Sequence, residues 1–299
     1  MKVVLTGSNG QLGKTISLLK PKDIELICLN KKDLDLKDNY SCYEMVSNLK
    51  PDWLINSAAY TAVDLAEENI KSAFEINFEA PKQFAKAIKK FGGNFLQIST
   101  DFVFDGNSNK PYVPSSKRNP INIYGRSKAA AEEIIEEILG NTTQSIILRT
   151  SWLMSPFNNN FASTISNLLK NKKKLSIVED QIGSPTSCAS LANTIWRILN
   201  FSFSKKSTYF PKIMHWSNKG EVSWYQIAKY ILEVSKEKKF ILNNPIIKPI
   251  KTSDYKFKAI RPKYSVLDSS LSEKLLNLEN ISWENAIRDL MYYKFQNKF

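Results

Sequence analysis

Histidine is nearly absent: His215 is the only one in 299 residues. A multi-histidine metal centre is thereby excluded, and a histidine-based nucleophilic triad would have to use that single residue. Cysteine is scarce as well. Cys28, Cys42 and Cys188 are odd in number and scattered, so neither a disulfide framework nor a metal site is expected, and such usage suits a reducing cytoplasm. No apolar stretch reaches the roughly 18 residues that a membrane-spanning helix needs. The apolar run within Met1 to Gly7 is too short for a signal peptide. Internal repeats and low-complexity tracts are also missing. The expectation is a soluble, cytoplasmic protein without a membrane partner.

With 42% hydrophobic and 24% charged residues, the chain can bury a large core, in one large domain or two smaller ones. The formal charge of +13 raises nucleic acid as a partner. However, the lysines are spread out (Lys31-Lys32, Lys172 to Lys174, Lys205-Lys206, Lys236 to Lys239) and no nucleic-acid motif accompanies them. Spread charge of this kind is a solvated surface. It is equally suited to a multiply phosphorylated small ligand, so no nucleic acid is expected.

The N-terminal residues carry the first chemical signal. Lys2 to Thr6 reads as a buried strand, followed by Gly7-Ser8-Asn9-Gly10-Gln11-Leu12-Gly13 and a helical apolar pattern. Strand, glycine turn and helix are what a phosphate cradle requires. Glycines permit close backbone approach, and the helix N-terminus offers free N–H groups and a positive dipole end. A second strand, Ile24 to Leu29, ends at Asn30-Lys31-Lys32, where a dinucleotide fold usually presents an acid to the adenosine ribose. Neutral and cationic side chains there suit a 2′-phosphate better, which favours NADPH with NADH as the alternative. Asp35-Leu36 follows, where it can flank an adenine.

Helix 40–49 and strand 52–56 come next, then the small residues Ser57-Ala58-Ala59-Tyr60-Thr61, which let a cofactor lie close to backbone. A long helical region is predicted over 68–91, its Phe84, Ala87, Ile88 and Phe91 forming a core stripe. Strand 94–98 ends in Ser99-Thr100-Asp101, at the edge where open α/β sheets bind ligands. After a Pro- and Ser-rich loop (111–120), Tyr124 and Lys128 fall one turn apart on one face of a helical pattern. Tyr-x-x-x-Lys is common by chance. In this setting, however, an ammonium near a phenol would lower its pKa and make it a proton donor or acceptor. Strand 145–150 completes the alternation, which argues for a doubly wound parallel sheet. Beyond Ser151-Trp152 the pattern becomes irregular. Helices are expected at 161–169, 191–199, 224–234 and 283–293, short strands at 175–178 and 213–216, and an exposed linker over 200–212.

Together, Gly7-x-x-Gly10-x-x-Gly13, the Ser-Thr ending the fourth strand and Tyr124-x-x-x-Lys128 resemble the extended short-chain dehydrogenase/reductase superfamily. More specific segments are similar to the dTDP-4-dehydrorhamnose reductase family over essentially the whole chain. They are Gly10-Gln11-Leu12-Gly13, Ala58 to Asp64, Ser99 to Phe104, Arg149 to Trp152, Asp180-Gln181-x-Gly183-x-Pro185-Thr186 and Arg261-Pro262.

The resemblance implies a Rossmann-type doubly wound sheet (1–150) with a smaller C-terminal α/β substrate-binding domain (mainly 151–299, with segments such as 187–200 returning to the first domain). It implies reduction of the C4 ketone of dTDP-4-dehydro-β-L-rhamnose to dTDP-L-rhamnose by NADPH, with NADH possible, without a metal. By position, Tyr124 would donate the proton, Lys128 would tune Tyr124 and hold the nicotinamide ribose, and Thr100 would hydrogen-bond the reacting oxygen. Asp101 and Trp152 would contact the sugar, and Arg261 its diphosphate. Gly7, Gly10, Gln11, Leu12, Gly13, Asn30, Asp35, Leu36, Ala58, Ala59 and Thr61 would line the cofactor. Lys14-Thr15 stand where some relatives carry a metal-bridging glutamate, which argues against a metal-bridged dimer and leaves monomer or homodimer. His215 is expected to be structural. The competing readings are an epimerase or epimerase/reductase on another nucleotide sugar, and a regulatory protein similar to the methionine adenosyltransferase β subunit.

Overall fold

Strand residues at alternate positions feed two different hydrophobic layers, and this sets the architecture. A computed structural model describes residues 1–204, 210–241 and 244–296. Its central sheet has β1 (Lys2–Thr6), β2 (Glu25–Leu29), β3 (Trp53–Asn56), β4 (Asn94–Thr100), β5 (Ser145–Thr150) and β6 (Ile213–His215), in spatial order β6-β5-β4-β3-β1-β2. All pairs are parallel, as expected for strands buried on both faces. Val3, Leu5, Leu96, Ile98 and Leu148 pack one way, against Ile16 of helix α1 (Gln11–Leu18) and Leu191, Ile195 and Leu199 of the helix Cys188–Ser204. Val4, Leu54, Phe95 and Ile147 pack the other way, against helices α2 (Asn39–Leu49), α3 (Ala80–Phe91) and α4 (Ile123–Leu139). The result is a three-layer α/β/α fold, the doubly wound sheet expected from sequence.

A second core gathers Ile165 and Leu169 of helix Phe161–Asn171, Ile227 and Ile231 of helix Trp224–Glu237, and Ile287 and Met291 of helix Trp283–Gln296. The first two helices each begin at a capping box, Asn160 with Ser163 and Ser223 with Gln226. Each such cap contributes about 1 kcal/mol. Strand Ile246–Ile250 pairs in parallel with Lys174–Val178 alongside this core.

Two expectations need correction. The helical region before α3 is not uniformly α: residues Glu75–Glu79 form a π turn, and it turns Asn77 into the interior. The linker expected over 200–212 is helical as far as Ser204, because Leu199 and Phe201 extend the apolar face onto the sheet layer. Residues 205–209, with Lys205-Lys206, lie outside the described residues.

The strand order reverses between β1 and β3, so the chain leaves their carboxyl ends in opposite directions. That switch point is the place where doubly wound sheets open a ligand crevice.

Candidate active site

At this switch point lies a cleft of about 550 Å³ bordered by Gly7, Gly10, Ala58, Thr100, Tyr124, Lys128 and Trp152, among others. The glycine turn builds one wall. Gly7 has φ of +69°, and a Cβ there would come within 2.7 Å of the Ala58 backbone. A Cβ on Gly13 would sit 2.2 Å from the Gly7 carbonyl oxygen, so α1 can rise from the turn only if residue 13 is glycine. Gly10 N–H donates to the Gly7 carbonyl at 2.9 Å. Backbone so stripped of side chains at a helix N-terminus fits a dinucleotide pyrophosphate.

The residues proposed from sequence for the cofactor divide along this wall. Gly7, Gly10, Gln11, Leu12, Asn30, Ala58, Ala59 and Thr61 border the main cleft. Asp35 and Leu36 border an adjoining recess of about 160 Å³ that shares Gly7, Asn30, Lys31, Ala58 and Ala59 with it. Gly13 borders neither; it is needed for the turn. Lys31 faces both cavities. The Asn30 side chain carbonyl accepts from Lys32 N–H at 2.8 Å, and the Asn30 N–H donates to Asp33 at 2.8 Å. The turn after β2 is thus held without an acid aimed at the cleft from position 30.

Thr100, Tyr124 and Lys128 build another wall. Helix α4 starts at Asn122, whose side chain accepts from Gly125 N–H at 2.7 Å, and this cap fixes where Tyr124 enters the site. A Cβ on Gly125 would lie 2.2 Å from the Phe102 carbonyl oxygen. The glycine therefore brings α4 hard against the end of β4. Burial pushes the Tyr124 phenol up to about 12; a hydrogen bond with the Thr100 hydroxyl opposes this, and the Asp101 charge adds to it.

Lys128 is not among the groups that set this phenol, whose shift is dominated by burial. The Lys128 ammonium instead donates to the Ile98 carbonyl at 2.6 Å, and burial brings its own pKa down to about 8. A phenol at about 12 is protonated at neutral pH, which is the form a proton donor needs. Asp101 is wholly buried. Its Oδ1 accepts from the Thr100 hydroxyl at 3.0 Å, and its Oδ2 has no partner. Burial lifts this carboxyl to about 6.

Trp152 forms the roof. It adopts a positive φ of 46° and stacks on Trp224 with ring centroids 3.6 Å apart. A Cβ at Gly183 would meet the Trp152 ring at 2.6 Å. Trp224 Nε1 donates to the Gln181 side chain at 3.2 Å, and Asp180 accepts from the Thr252 hydroxyl at 2.7 Å. The Asp180-Gln181-x-Gly183 segment is therefore the mounting of an aromatic platform. Arg261 is placed elsewhere. Its guanidinium grips Asp64 at 2.5 and 3.0 Å and lies over the Phe257 ring, and it does not border the cleft. The side-chain bond from Arg261 holds the Asp64 carboxyl down at about 2. This pair ties the loop after β3 to the C-terminal segment.

Sequence reasoning missed several supporting residues. Trp224 was assigned only to a helix. Asn77 was hidden inside a supposed core helix, yet it holds Tyr60 N–H at 2.8 Å and donates to Ser127 of α4 at 3.0 Å. It couples the small-residue loop after β3 to the helix that carries Tyr124. The available signal was an Asn inside an otherwise apolar helical stripe. His215 accepts from Arg149 through Nε2 at 3.2 Å and donates from Nδ1 to the Tyr112 carbonyl at 3.0 Å. Burial, with the Arg149 charge, pushes it down to about 3, so it is neutral and structural.

Comparison with known proteins agrees with this architecture. Residues 1–294 match the family model described as RmlD substrate binding domain. A dTDP-4-dehydrorhamnose reductase of Aggregatibacter actinomycetemcomitans is 32% identical, covering 98% of this chain and 99% of the relative. The crystal structure of a Clostridium acetobutylicum dTDP-4-dehydrorhamnose reductase superposes with a TM-score of 0.88 at 33% identity, covering 98% of this chain and 99% of that one. That of the Bacillus anthracis enzyme, solved in complex with NADP, does so with a TM-score of 0.87 at 34% identity and the same coverage. A glycine cradle, a Thr-Tyr-Lys wall and a tryptophan roof, in a chain matched from end to end by these reductases, lead to one conclusion: the chain belongs to the RmlD substrate binding domain family, that of the dTDP-4-dehydrorhamnose reductases.

Proposed function

We propose that this protein reduces the C4 ketone of dTDP-4-dehydro-β-L-rhamnose to give dTDP-L-rhamnose, using NADPH, with Tyr124 as proton donor. The observation that carries the proposal is the convergence of Thr100, Tyr124 and Lys128 on one wall of the cleft that the glycine cradle also borders. Bound there, a reduced nicotinamide supplies hydride to the ketone carbon. The chain supplies the rest. Tyr124 holds a proton at its phenol oxygen at neutral pH and gives it to the ketone oxygen as negative charge builds there. The Thr100 hydroxyl, on the same cleft wall, can orient the reacting oxygen. Lys128 places a positive charge beside the same wall. The unpartnered Oδ2 of Asp101 is an acceptor for a sugar hydroxyl, and Trp152 covers the sugar face.

The NADP-bound relative supports the cofactor, as do the absence of an acid at position 30 and the position of Lys31 on the adenosine side. A lysine there can pair with a 2′-phosphate. The test is NADPH consumption on addition of the 4-keto sugar nucleotide, with the C4 configuration of the product read by NMR. The kcat/KM with NADPH is expected to exceed that with NADH at least ~10-fold, the value of a single charge pair of about 1.4 kcal/mol. An enzyme that strongly prefers NADH would contradict the cofactor assignment, and no turnover with either would contradict the substrate.

A further inference from the structure

Two consecutive residues at the end of β4 each hold one position of the same face of α4. The Ile98 carbonyl accepts from Lys128 at 2.6 Å and the Ser99 hydroxyl donates to Glu132 at 2.5 Å, and the next residue, Thr100, borders the cleft beside Tyr124. Residues 124, 128 and 132 follow one another at four-residue intervals, so they stack along one helix face. Glu132 is fully buried, and it is held more firmly than either of the other two. Buried Arg149 of β5 grips it through Nε at 2.9 Å and through a terminal nitrogen at 2.6 Å. Arg118 of the 111–120 loop adds a bond at 3.2 Å. Arg149 is itself fixed by the Pro114 carbonyl at 3.1 Å and by neutral His215 at 3.2 Å.

A buried ion pair is weak evidence for stability, because the desolvation of both charges offsets their attraction. Another role is needed to explain a carboxylate in the interior of this helix, one turn beyond Lys128. Ser99 borders the cleft, so the network reaches the site itself.

We propose that Glu132, with Ser99 and Arg149, is a positioning residue: it locks α4 onto the end of β4 so that Tyr124 and Lys128 stay in register with Thr100 and the substrate ketone. The inference rests on the assignment of Tyr124 and Lys128 to the reaction. Glu132 also acts on Lys128 electrostatically, since its charge raises the ammonium pKa against the larger effect of burial. The charges that face this pair are Glu132 on their own helix and Asp101 following β4. Arg149 and Arg118 are turned to Glu132, and Glu67 accepts from Ile123 N–H at the helix start.

The test uses the full-length enzyme and its NADPH-dependent turnover. Glu132→Gln keeps the shape and one acceptor but removes the charge. It is expected to lower kcat about tenfold, as a misplacement of an ångström or less would. The NADPH dissociation constant, read by fluorescence, should be unchanged, and the alkaline loss of activity, governed by Lys128, should move to lower pH. Glu132→Asp, which keeps the charge, should leave that limb where it is. A variant that loses only thermal stability, with kcat and pH profile intact, overturns the proposal.

Should Glu132→Gln fail to fold, Ser99→Ala decides. It leaves the Arg149 and Arg118 contacts in place and is expected to lower kcat several-fold with NADPH affinity retained; wild-type kcat overturns the proposal. Tyr124→Phe run in parallel separates the two levels. Full activity in that variant would remove the acid assignment beneath the inference. An inactive Tyr124→Phe beside a fully active Ser99→Ala would remove only the inference.

Discussion

Tyr124→Phe is expected to lower kcat at least ~10²-fold, the lower end of what a positioned general acid contributes. NADPH affinity and fold should be retained. The phenyl ring keeps its edge-on contact with Phe102, whose centroid is 5.7 Å away. Thr100 also stays in place, because it bonds Asp101 and the Phe102 N–H independently of the phenol. The substitution therefore removes a proton and little else. The measurement is steady-state turnover with the 4-keto sugar, beside NADPH binding by fluorescence. Turnover at the wild-type rate would sink the donor assignment. Lost NADPH binding would show instead that the substitution had disturbed the cradle.

The second large effect is expected at Gly13→Ala. A single methyl there would meet the Gly7 carbonyl oxygen at 2.2 Å and Ser8 Cα at 2.7 Å. Both are backbone atoms and cannot turn aside as a side-chain end would, so α1 must back away from the turn. Overpacking of this kind costs about 1–3 kcal/mol. A loss of that size at the cradle weakens NADPH by roughly 5-fold to 100-fold, given about 1.4 kcal/mol per decade, and lowers Tm by several degrees. Calorimetric titration and a melting curve on the purified variant check both. Unchanged NADPH affinity would show that the helix can move without distorting the pyrophosphate seat.

These two positions also mark how far the sequence was legible. Gly13 was assigned to the cofactor because it completes a glycine triplet. The triplet does mark the cradle, but residue 13 serves it from behind, through a contact with Gly7 six residues earlier. Tyr124 and Lys128 were placed on one helix face by spacing alone, and they do share one cleft wall. The electrostatic relation between them was not legible. It depends on how deeply both groups are buried and on Lys128 reaching the carbonyl of Ile98, thirty residues away.

By itself the sequence determined the alternation of strands and helices, the doubly wound sheet, the glycine turn and the placing of Tyr124 and Lys128 on one helix face. All of these follow from local periodicity, from backbone freedom at glycine, and from the order of motifs along the chain. The tertiary structure alone decided that Arg261 pairs with Asp64 away from the cleft, and that Trp224 and Gly183 support Trp152. It also decided that Asn77 bonds Ser127, and that Glu132 bonds Ser99 and Arg149, on the helix carrying Tyr124. Each of these contacts joins residues far apart in sequence, where no period or spacing constrains the partner. The energies that select them, from burial, desolvation and hydrogen bonding in a dry interior, exist only once the layers have packed.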